Sequence, residues 1–376
     1  VRLNKPADTQ FADWIASRPD RAHFKARNEP YPVYIVAAQG GGIYAAEHVA
    51  VTLARMQDRC PSFAQHIFAI SGVSGGGLGG ALFSSLVKEK ATAVADPKCQ
   101  FGPQDPGWYE ERTREYLRQD FLSPLAAAGL FPDFLQRFIP FPIEEFDRAR
   151  ALEAAMEGAW NKTMPDTPGN PFAESYFDHW DAKGNAPAVV LNVTRVSTGG
   201  RVLIAPFKFT KDARVRLDHL SSIVRRDLAL STAVGIGARF PWILPPASFV
   251  KQPDQYYRFV DGGYFESSGM ETALDLVAML EDYQRKLQES AAEALDIKIH
   301  LVMLTTDTIL EDPFNTDNAS READADTGRS GFDEYASPLT AMFESRWERG
   351  VVSAARAVDK FCLDCFRDRE DRRVYA

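Results

Sequence analysis

The 376-residue chain contains no apolar run of the roughly 18–20 residues that are needed to span a bilayer. Positive charge is also in deficit, because 43 Lys and Arg residues face 52 Asp and Glu residues, a formal net charge of −9. Nucleic-acid binding needs a surplus of cationic side chains to neutralise phosphates, so we expect no nucleic-acid partner. The chain begins at Val1 without a signal-peptide pattern. These features favour a cytoplasmic or membrane-peripheral protein and leave open an anchor that precedes Val1.

Cysteine and histidine are scarce, at four and six residues. Four cysteines in a chain of this length do not make a disulfide scaffold. Cys60 and Cys99 are isolated in the sequence, whereas Cys362 and Cys365 form a close pair that lacks the second ligand pair of a zinc site. We therefore predict ordinary thiols, with at most a local disulfide in the C-terminal pair. Neither a metal nor an organic cofactor is expected.

Two strand–turn–helix units lie near the start of the chain. Each has a short apolar strand, then a glycine-rich turn, then a helical pattern. Repetition of this unit is typical of an α/β fold in which a mostly parallel central sheet carries helices on both faces. The predicted units comprise a strand over 33–38, a turn over 39–42 and a helix over 43–56, followed by a strand over 66–70, a turn over 71–76 and a helix over 78–88.

The rest of the chain continues this pattern, and we predict a single domain over residues 1–376. Residues 307–334 hold nine acidic side chains against two arginines and are predicted to form a mobile surface loop. Asp324 and Asp326 in this loop lack the remainder of a calcium-loop pattern, so no metal site is predicted there. The remaining predicted elements are strands over 188–194, 201–205, 257–260 and 297–304 and helices over 227–234, 271–294 and 340–361.

Residues 97–180 interrupt the strand–helix alternation and are predicted to form a helical insertion or cap. Aromatic and proline residues are densest over residues 121–141 of this insertion. The general rule that apolar side chains are buried favours their packing inside a helical subdomain. In the alternative interpretation, the 121–141 segment forms a cap or a peripheral membrane-contact surface through which a lipid chain enters.

The sequence Gly72-Val-Ser74-Gly-Gly76 lies between a predicted strand and a predicted helix. Glycines on both sides of the serine allow the backbone to reverse sharply, so that the hydroxyl of Ser74 is lifted clear of the sheet. The serine then lies at a helix N-terminus, where the helix dipole and backbone N–H groups favour developing negative charge. This placement is typical of a nucleophilic serine.

A nucleophilic serine also needs an oxyanion hole. Gly40, Gly41 and Gly42 follow the neighbouring strand and open a helix of their own, so that their N–H groups and that of Gly75 are able to face one point. The alternative for this triple glycine is a phosphate or dinucleotide cradle. That alternative is disfavoured, because the third spaced glycine and the Walker lysine are both absent.

The general base is the last requirement of this chemistry. A histidine is the usual choice, and in enzymes with the chain order Ser, Asp, His it follows the aspartate. The histidine that follows Asp261 here is His300, which lies in the middle of a predicted strand, whereas a catalytic histidine is expected on a loop. Asp261 ends a predicted strand and precedes Gly262 and Gly263, at the edge of an α/β sheet where catalytic groups collect. Its structural alternative is a turn or capping aspartate.

Three motifs in this order, Gly40-Gly41-Gly42, Gly72-x-Ser74-x-Gly76 and Asp261-Gly262-Gly263, resemble those of the patatin-like phospholipase family. The stretches 191–199 and 231–241 are also similar to that family, and the resemblance covers about residues 33–305 apart from the insertion. It implies a three-layer α/β fold and hydrolysis of acyl esters by a Ser–Asp dyad without a cofactor. It further implies that Ser74 is the nucleophile and Asp261 the general base, that Gly41, Gly42 and Gly75 are the oxyanion donors, and that Gly40, Gly72, Gly76, Gly262 and Gly263 are supporting glycines.

The sequence departs from the family at Tyr44, where the family usually has arginine or lysine. That residue helps to shape the glycine loop, so the departure leaves head-group preference and rate open, while the backbone donors remain. A phospholipid or lysophospholipid is the expected substrate. A soluble acyl ester is the second interpretation, and a lipid-binding protein that has lost catalysis is the third.

Overall fold

The centre of the molecule is a mixed β-sheet with helices on both of its faces. The acidic segment 307–334 and the pair Cys362 and Cys365 lie outside the residues that the structure describes. A computed structural model describes residues 5–306, except 97, 101, 103–104, 137, 140–146, 210–216, 225, 241–242, 253–254 and 291–295, together with residues 345, 348–357 and 360–361.

Within the described residues, eight strands form the sheet, in the order β5-β4-β3-β2-β1-β8, with β7 paired to β3 and β6 paired to β7. Neighbours are parallel in the pairs β1–β2, β1–β8, β2–β3 and β4–β5, and antiparallel in β3–β4, β3–β7 and β6–β7. The predicted α/β class with a mostly parallel sheet is confirmed. The strands are β1 (Tyr31–Ala38), β2 (Ile67–Gly72), β3 (Ala188–Arg195), β4 (Arg201–Ile204), β5 (Leu217–His219), β6 (Ala247–Gln252), β7 (Gln255–Asp261) and β8 (Ile297–Leu304).

The helices divide between two hydrophobic cores, one on each face of the sheet. Alternate side chains of β1 supply both cores, because successive residues of a strand point to opposite faces. Val33 and Ile35 pack with α1 and α12, whereas Val36 and Ala38 pack with α3 and α4. The result is the predicted three-layer arrangement. The helices are α1 (Ala7–Ala16), α2 (Arg21–Arg27), α3 (Gly42–Arg59), α4 (Gly75–Lys90), α5 (Trp108–Leu117), α6 (Leu122–Leu130), α7 (Pro132–Gln136), α8 (Arg148–Thr163), α9 (Tyr176–His179), α10 (Leu220–Ile223), α11 (Leu230–Gly237) and α12 (Met270–Ser290).

Element boundaries differ from the sequence-based prediction where tertiary packing overrides local propensity. Helix α4 begins at Gly75, not at the predicted position 78, although glycine is a poor helix former. Its first residues must be glycines because they touch a neighbouring backbone, as described below. Helix α11 begins at Leu230, three residues later than predicted. The patterns also do not predict the short elements α1, α2, β5 and β6. None of the helices in the described ranges is both long and apolar enough to cross a bilayer.

The prediction that Cys60 and Cys99 are isolated thiols is wrong. Cys60, at the end of α3, forms a disulfide with Cys99 across 39 positions of sequence. The N–H of the next residue, Gln100, donates to the carbonyl of Arg59 at 2.8 Å. The start of the insertion is thereby joined to the end of α3.

In the described part of the insertion, helices α5 to α9 lie between α4 and β3. Tyr116, Trp160 and Phe172 are buried in the core that also holds α3 and α4. Six large apolar residues of α6, α7 and the positions next to them are more than half exposed, so the prediction that the insertion's apolar residues are buried is wrong for these. They are Leu122, Leu130, Phe131, Phe134, Leu135 and Phe138.

A buried charge cluster fixes the N-terminal helices to the start of the sheet. Asp20 has no exposed surface and accepts hydrogen bonds from Tyr31 Oη at 2.9 Å and Gln65 Nε2 at 2.6 Å. It also pairs with His66 Nε2 at 2.8 Å, while His66 Nδ1 lies 3.1 Å from the carbonyl oxygen of Pro32. Burial acts to raise the pKa of Asp20, but the contacts with His66, Tyr31 and Gln65 outweigh burial and hold that pKa below its usual value.

We expect Asp20→Asn to destabilise the protein by about 1–3 kcal/mol at neutral pH, because an amide in place of the carboxylate leaves buried hydrogen-bond donors without an acceptor. Urea unfolding monitored by circular dichroism measures this loss. Because the pKa of Asp20 is lower in the folded than in the unfolded state, its contribution is present above pH 3.8 and is lost as pH falls through the folded-state pKa. The stability difference between wild type and variant therefore narrows in acid.

The matched control is Asp96→Asn, because Asp96 also faces a histidine, His23 at 3.5 Å, but is exposed. That pair is screened by water, so the control is expected to unfold close to wild type. An Asp20→Asn variant as stable as the control would contradict the structural role of the cluster.

Candidate active site

Ser74 occupies a strained turn between β2 and α4. Its backbone angles are φ 50° and ψ −122°, in a left-handed region that a residue with a side chain adopts at a cost of about 1–3 kcal/mol. The two ends of the turn, Gly72 and Gly77, pack backbone against backbone. A methyl group placed on Gly72 would lie 2.4 Å from Cα of Gly77, so there is no room for a side chain at Gly72. Ser74 is consequently the N-cap of α4, as the Gly-x-Ser-x-Gly pattern predicts.

The two glycine turns touch each other through their backbones. A methyl group on Gly75 would lie 1.8 Å from the carbonyl oxygen of Gly42, and one on Gly76 would lie 2.4 Å from that of Ala38. Neither position has room for a side chain. A methyl group on Gly40 would lie 3.3 Å from Cβ of Ser74, so the first glycine loop also borders the serine.

Two helix N-termini meet at this contact. Gly42 and Gly75 are the first residues of α3 and α4, and N–H groups in the first turn of a helix have no intrahelical acceptor. Gly41 is the N-cap of α3, with a φ of 151°. The N–H of Gly40 donates instead to the carbonyl of Ser267 at 2.9 Å, which anchors the loop. The N-termini of α3 and α4 thus lie side by side, and two adjacent positive dipole ends suit the binding of an oxyanion.

Asp261 ends β7 and is 2% exposed. Its Oδ1 accepts a hydrogen bond from the N–H of Gly263 at 2.7 Å, and its own N–H donates to the carbonyl of Arg239 at 3.2 Å. The carboxylate therefore does cap the turn that follows β7, as the structural alternative requires. It also lines the same cavity as Ser74, which the capping role does not explain.

Asp261 lies at the expected edge of the sheet, but the strand that carries it runs in a different direction from the one predicted. The prediction takes the strand before it to end at the carboxyl edge of a parallel sheet. Strand β7 instead runs antiparallel to β3, with Asp261 opposite Val193. It pairs with β3 beyond the point where β2 ends, so that Asp261, opposite Val193, lies near the end of the strand that carries the serine turn.

Asn192 joins the serine turn to the aspartate turn, and the sequence reasoning does not assign it this role. Its Nδ2 donates to Ser71 Oγ and to the carbonyl of Gly72, both at 3.0 Å. Its Oδ1 accepts from Thr272 Oγ1 at 2.6 Å. The backbone of Asn192 also supports the aspartate loop, since a methyl group on Gly262 would lie 2.4 Å from its carbonyl oxygen. A polar residue inside an otherwise apolar buried strand is the signal that points to such a role.

Ser74 and Asp261 open into one cavity of 1270 Å³. Among the described residues that line it, Asp261 and Glu348 are the charged ones, and none is histidine. The three predicted oxyanion donors Gly41, Gly42 and Gly75 line it as well. Gly72, Gly76 and Gly262 instead pack on backbone behind it. Much of the wall is apolar and includes Leu78, Leu125, Leu152, Met156, Val234 and Leu244.

The described histidines do not supply a base for Ser74. His300 lies within β8 opposite Tyr34, in ring contact with it at 5.2 Å, four positions before the strand ends. Burial lowers the pKa of His300, as expected for a histidine held in a strand between neighbours. Within the described ranges there is also no group of three metal-ligating side chains. A comparison with protein-family models and a search of curated proteins both return no match to this chain.

If the site hydrolyses esters, as proposed below, Asn192→Ala should lower kcat for a soluble p-nitrophenyl ester about a hundredfold, with little change in KM. The reason is that the variant loosens the relative position of the serine and aspartate turns, and misplacement by an ångström costs a rate factor of about this size. Steady-state kinetics measures the split between kcat and KM. Stability should fall by only about 1–3 kcal/mol, from buried polar groups left without a partner.

Asn185→Ala is the matched control. The Asn185 amide also donates to a backbone carbonyl, that of Ala91 at 3.2 Å, but it lies away from the cavity. Equal kcat values for the two variants would contradict a positioning role for Asn192.

Proposed function

We propose that this chain is a serine acyl ester hydrolase that acts on lipids, of the phospholipase A or lysophospholipase type. The observation that carries the proposal is that a strained serine at the N-cap position of α4 and a buried aspartate line one large apolar cavity. The resemblance of the glycine, serine and aspartate motifs to patatin-like phospholipases supports it.

In the proposed reaction, Ser74 Oγ attacks the carbonyl carbon of the ester while its proton passes to Asp261. The oxygen of the tetrahedral intermediate accepts hydrogen bonds from the N–H groups of Gly41, Gly42 and Gly75. The bond to the alcohol then breaks, and the alcohol leaves with the proton that Asp261 held. Water attacks the acyl-enzyme with Asp261 as base, which releases the fatty acid and restores Ser74.

The weakness of the base determines how the barrier must be lowered. A carboxylate with the reference pKa of about 3.9 takes a proton from serine poorly. Donors aimed at the oxyanion compensate, because each is worth about 2.7–4 kcal/mol in related chemistry. The contact between the two helix N-termini supplies such donors in a fixed position, at no further cost when charge develops.

The size and lining of the cavity favour a lipid substrate. Pockets for drug-sized ligands measure about 300–1,000 Å³, and this cavity, at 1270 Å³, is larger. Its wall contains no lysine or arginine among the described residues, so the part that it recognises is apolar, as an acyl chain is. A soluble short-chain ester would leave most of this wall uncovered.

The non-catalytic alternative depends on Tyr44. Its side chain is 67% exposed and, in the part of the chain that the structure describes, does not line the cavity. The backbone donors do not depend on a cation at this position. A lipid-binding protein without catalysis is therefore the second candidate. The presence of both Ser74 and Asp261 argues against this candidate.

The test is hydrolysis of p-nitrophenyl esters of increasing acyl length by purified wild type, Ser74→Ala and Asp261→Asn. We expect Ser74→Ala to fall to background and Asp261→Asn to lose about 10²–10⁴-fold, the usual contribution of a general base. Wild type should prefer long chains. Asparagine keeps the oxygen that caps Gly263, so the turn after β7 stays intact.

Ser85→Ala is the matched control, because it removes a hydroxyl from the same helix that bonds only to the carbonyl of Ala81 in the described contacts. It should retain wild-type rates. Substantial hydrolysis by either dyad variant would refute the dyad, and an inactive, folded wild type would favour the lipid-binding alternative.

A further inference from the structure

Helices α6 and α7 present large apolar side chains to solvent. The exposed fractions run from 53% at Phe134 to 76% at Phe138, and these two rings contact each other at 5.5 Å. Exposed apolar groups of this size mark interaction sites in soluble proteins. The α6–α7 surface is defined here as Leu122, Leu130, Phe131, Phe134, Leu135 and Phe138.

The α6–α7 surface is continuous with the cavity. Leu122 is 66% exposed and also lines the cavity, as do the exposed residues Phe240 and Ile243. One turn further along α6, Leu125 packs against Leu244 inside the cavity wall. The same short helix therefore carries both an outer apolar surface and an inner apolar wall.

One ion pair holds this region together. Arg148, at the start of α8, pairs with Asp133 of α7 and donates from Nε to the carbonyl of Ile243. Helix α7 and the 243–244 segment are thus attached to the same side chain. The surface and the cavity mouth are presented as one unit.

Charge favours a particular kind of lipid. Residues 121–138 contain two charged side chains, Asp133 and Arg137, and Asp133 is buried and paired with Arg148. Attraction to anionic membranes needs clustered lysines and arginines, which this segment lacks, and the whole chain carries a net charge of −9. Contact must then rest on apolar insertion into a surface without net charge.

We propose that the α6–α7 surface docks on zwitterionic lipid surfaces and that acyl chains pass from there over Leu122 into the cavity. The docking step is inferred from the exposed side chains alone. The passage of a lipid ester to Ser74 rests on the proposed function. A membrane explains both the exposure of the surface and its continuity with the cavity mouth, whereas a second copy of this chain explains only the exposure.

The experiment is co-sedimentation of the full chain with phosphatidylcholine vesicles. The test variant is Phe131→Ser with Phe138→Ser, two exposed residues that do not line the cavity among the described residues. The control is Val250→Ser with Tyr256→Ser, an exposed apolar pair that lies side by side in the β6–β7 hairpin. Both pairs remove apolar area without adding charge.

We expect the test variant to lose about tenfold or more of its partitioning into vesicles, and the control to bind as wild type does. Hydrolysis of a soluble short-chain ester should be unchanged in both, while hydrolysis of vesicle lipid falls in the test variant alone. Ser74→Ala should bind vesicles normally, which separates a failure of docking from a failure of catalysis.

Three results would overturn the proposal. The first is that the wild-type protein stays in the supernatant and does not sediment with the vesicles. The second is that the test variant and the control variant lose vesicle binding to the same extent. The third is a wild-type dimer, seen by sedimentation velocity, that the test variant abolishes without any vesicle binding, because the surface would then belong to a second copy of the chain.

Discussion

The candidate site depends on one backbone contact, the approach of Gly75 to the carbonyl of Gly42. A methyl group at Gly75 would lie 1.8 Å from that oxygen, so any side chain would push α3 and α4 apart. Their N-termini would then no longer lie side by side. The parallel pairing of β1 with β2 brings the two turns to one edge, and the glycines allow them to touch. Ser74, directly before Gly75, has a positive φ of 50° in the same turn.

The rest of the site is built around that contact from distant parts of the chain. Strand β7 brings Asp261 in against the direction of β3, and Asn192 bonds to the strand that ends in the serine turn. The insertion then closes an apolar cavity over the polar groups. The backbone donors and Asp261 thus lie where helices begin and a strand ends at the edge of the sheet, whereas α6 contributes apolar residues to the cavity wall.

How far the sequence predicts the structure depends on the range of the forces involved. The two strand–turn–helix units and Ser74 follow from local rules, because glycine alone permits these turns. The edge position of Asp261 is predicted, but the direction of its strand is not, since pairing partners are remote in sequence. The disulfide of Cys60 with Cys99 depends on tertiary placement, for which no local pattern exists. The sequence leaves open whether the 121–141 segment is buried or forms a contact surface, because tertiary placement decides between the two. Asn192 falls within a stretch that resembles the family, but its bonds to both turns are not predicted, although a polar residue in a buried apolar strand indicates such a role.

The most direct test of the account is whether Ser74 is chemically activated. Purified wild type and Ser74→Ala would be treated with a fluorophosphonate, and the adduct located by peptide mass spectrometry. The account predicts one adduct, on Ser74, which disappears in the variant while the remaining serines stay unmodified. A folded wild type that stays unlabelled with and without phosphatidylcholine vesicles, or an adduct that persists in Ser74→Ala, would contradict it.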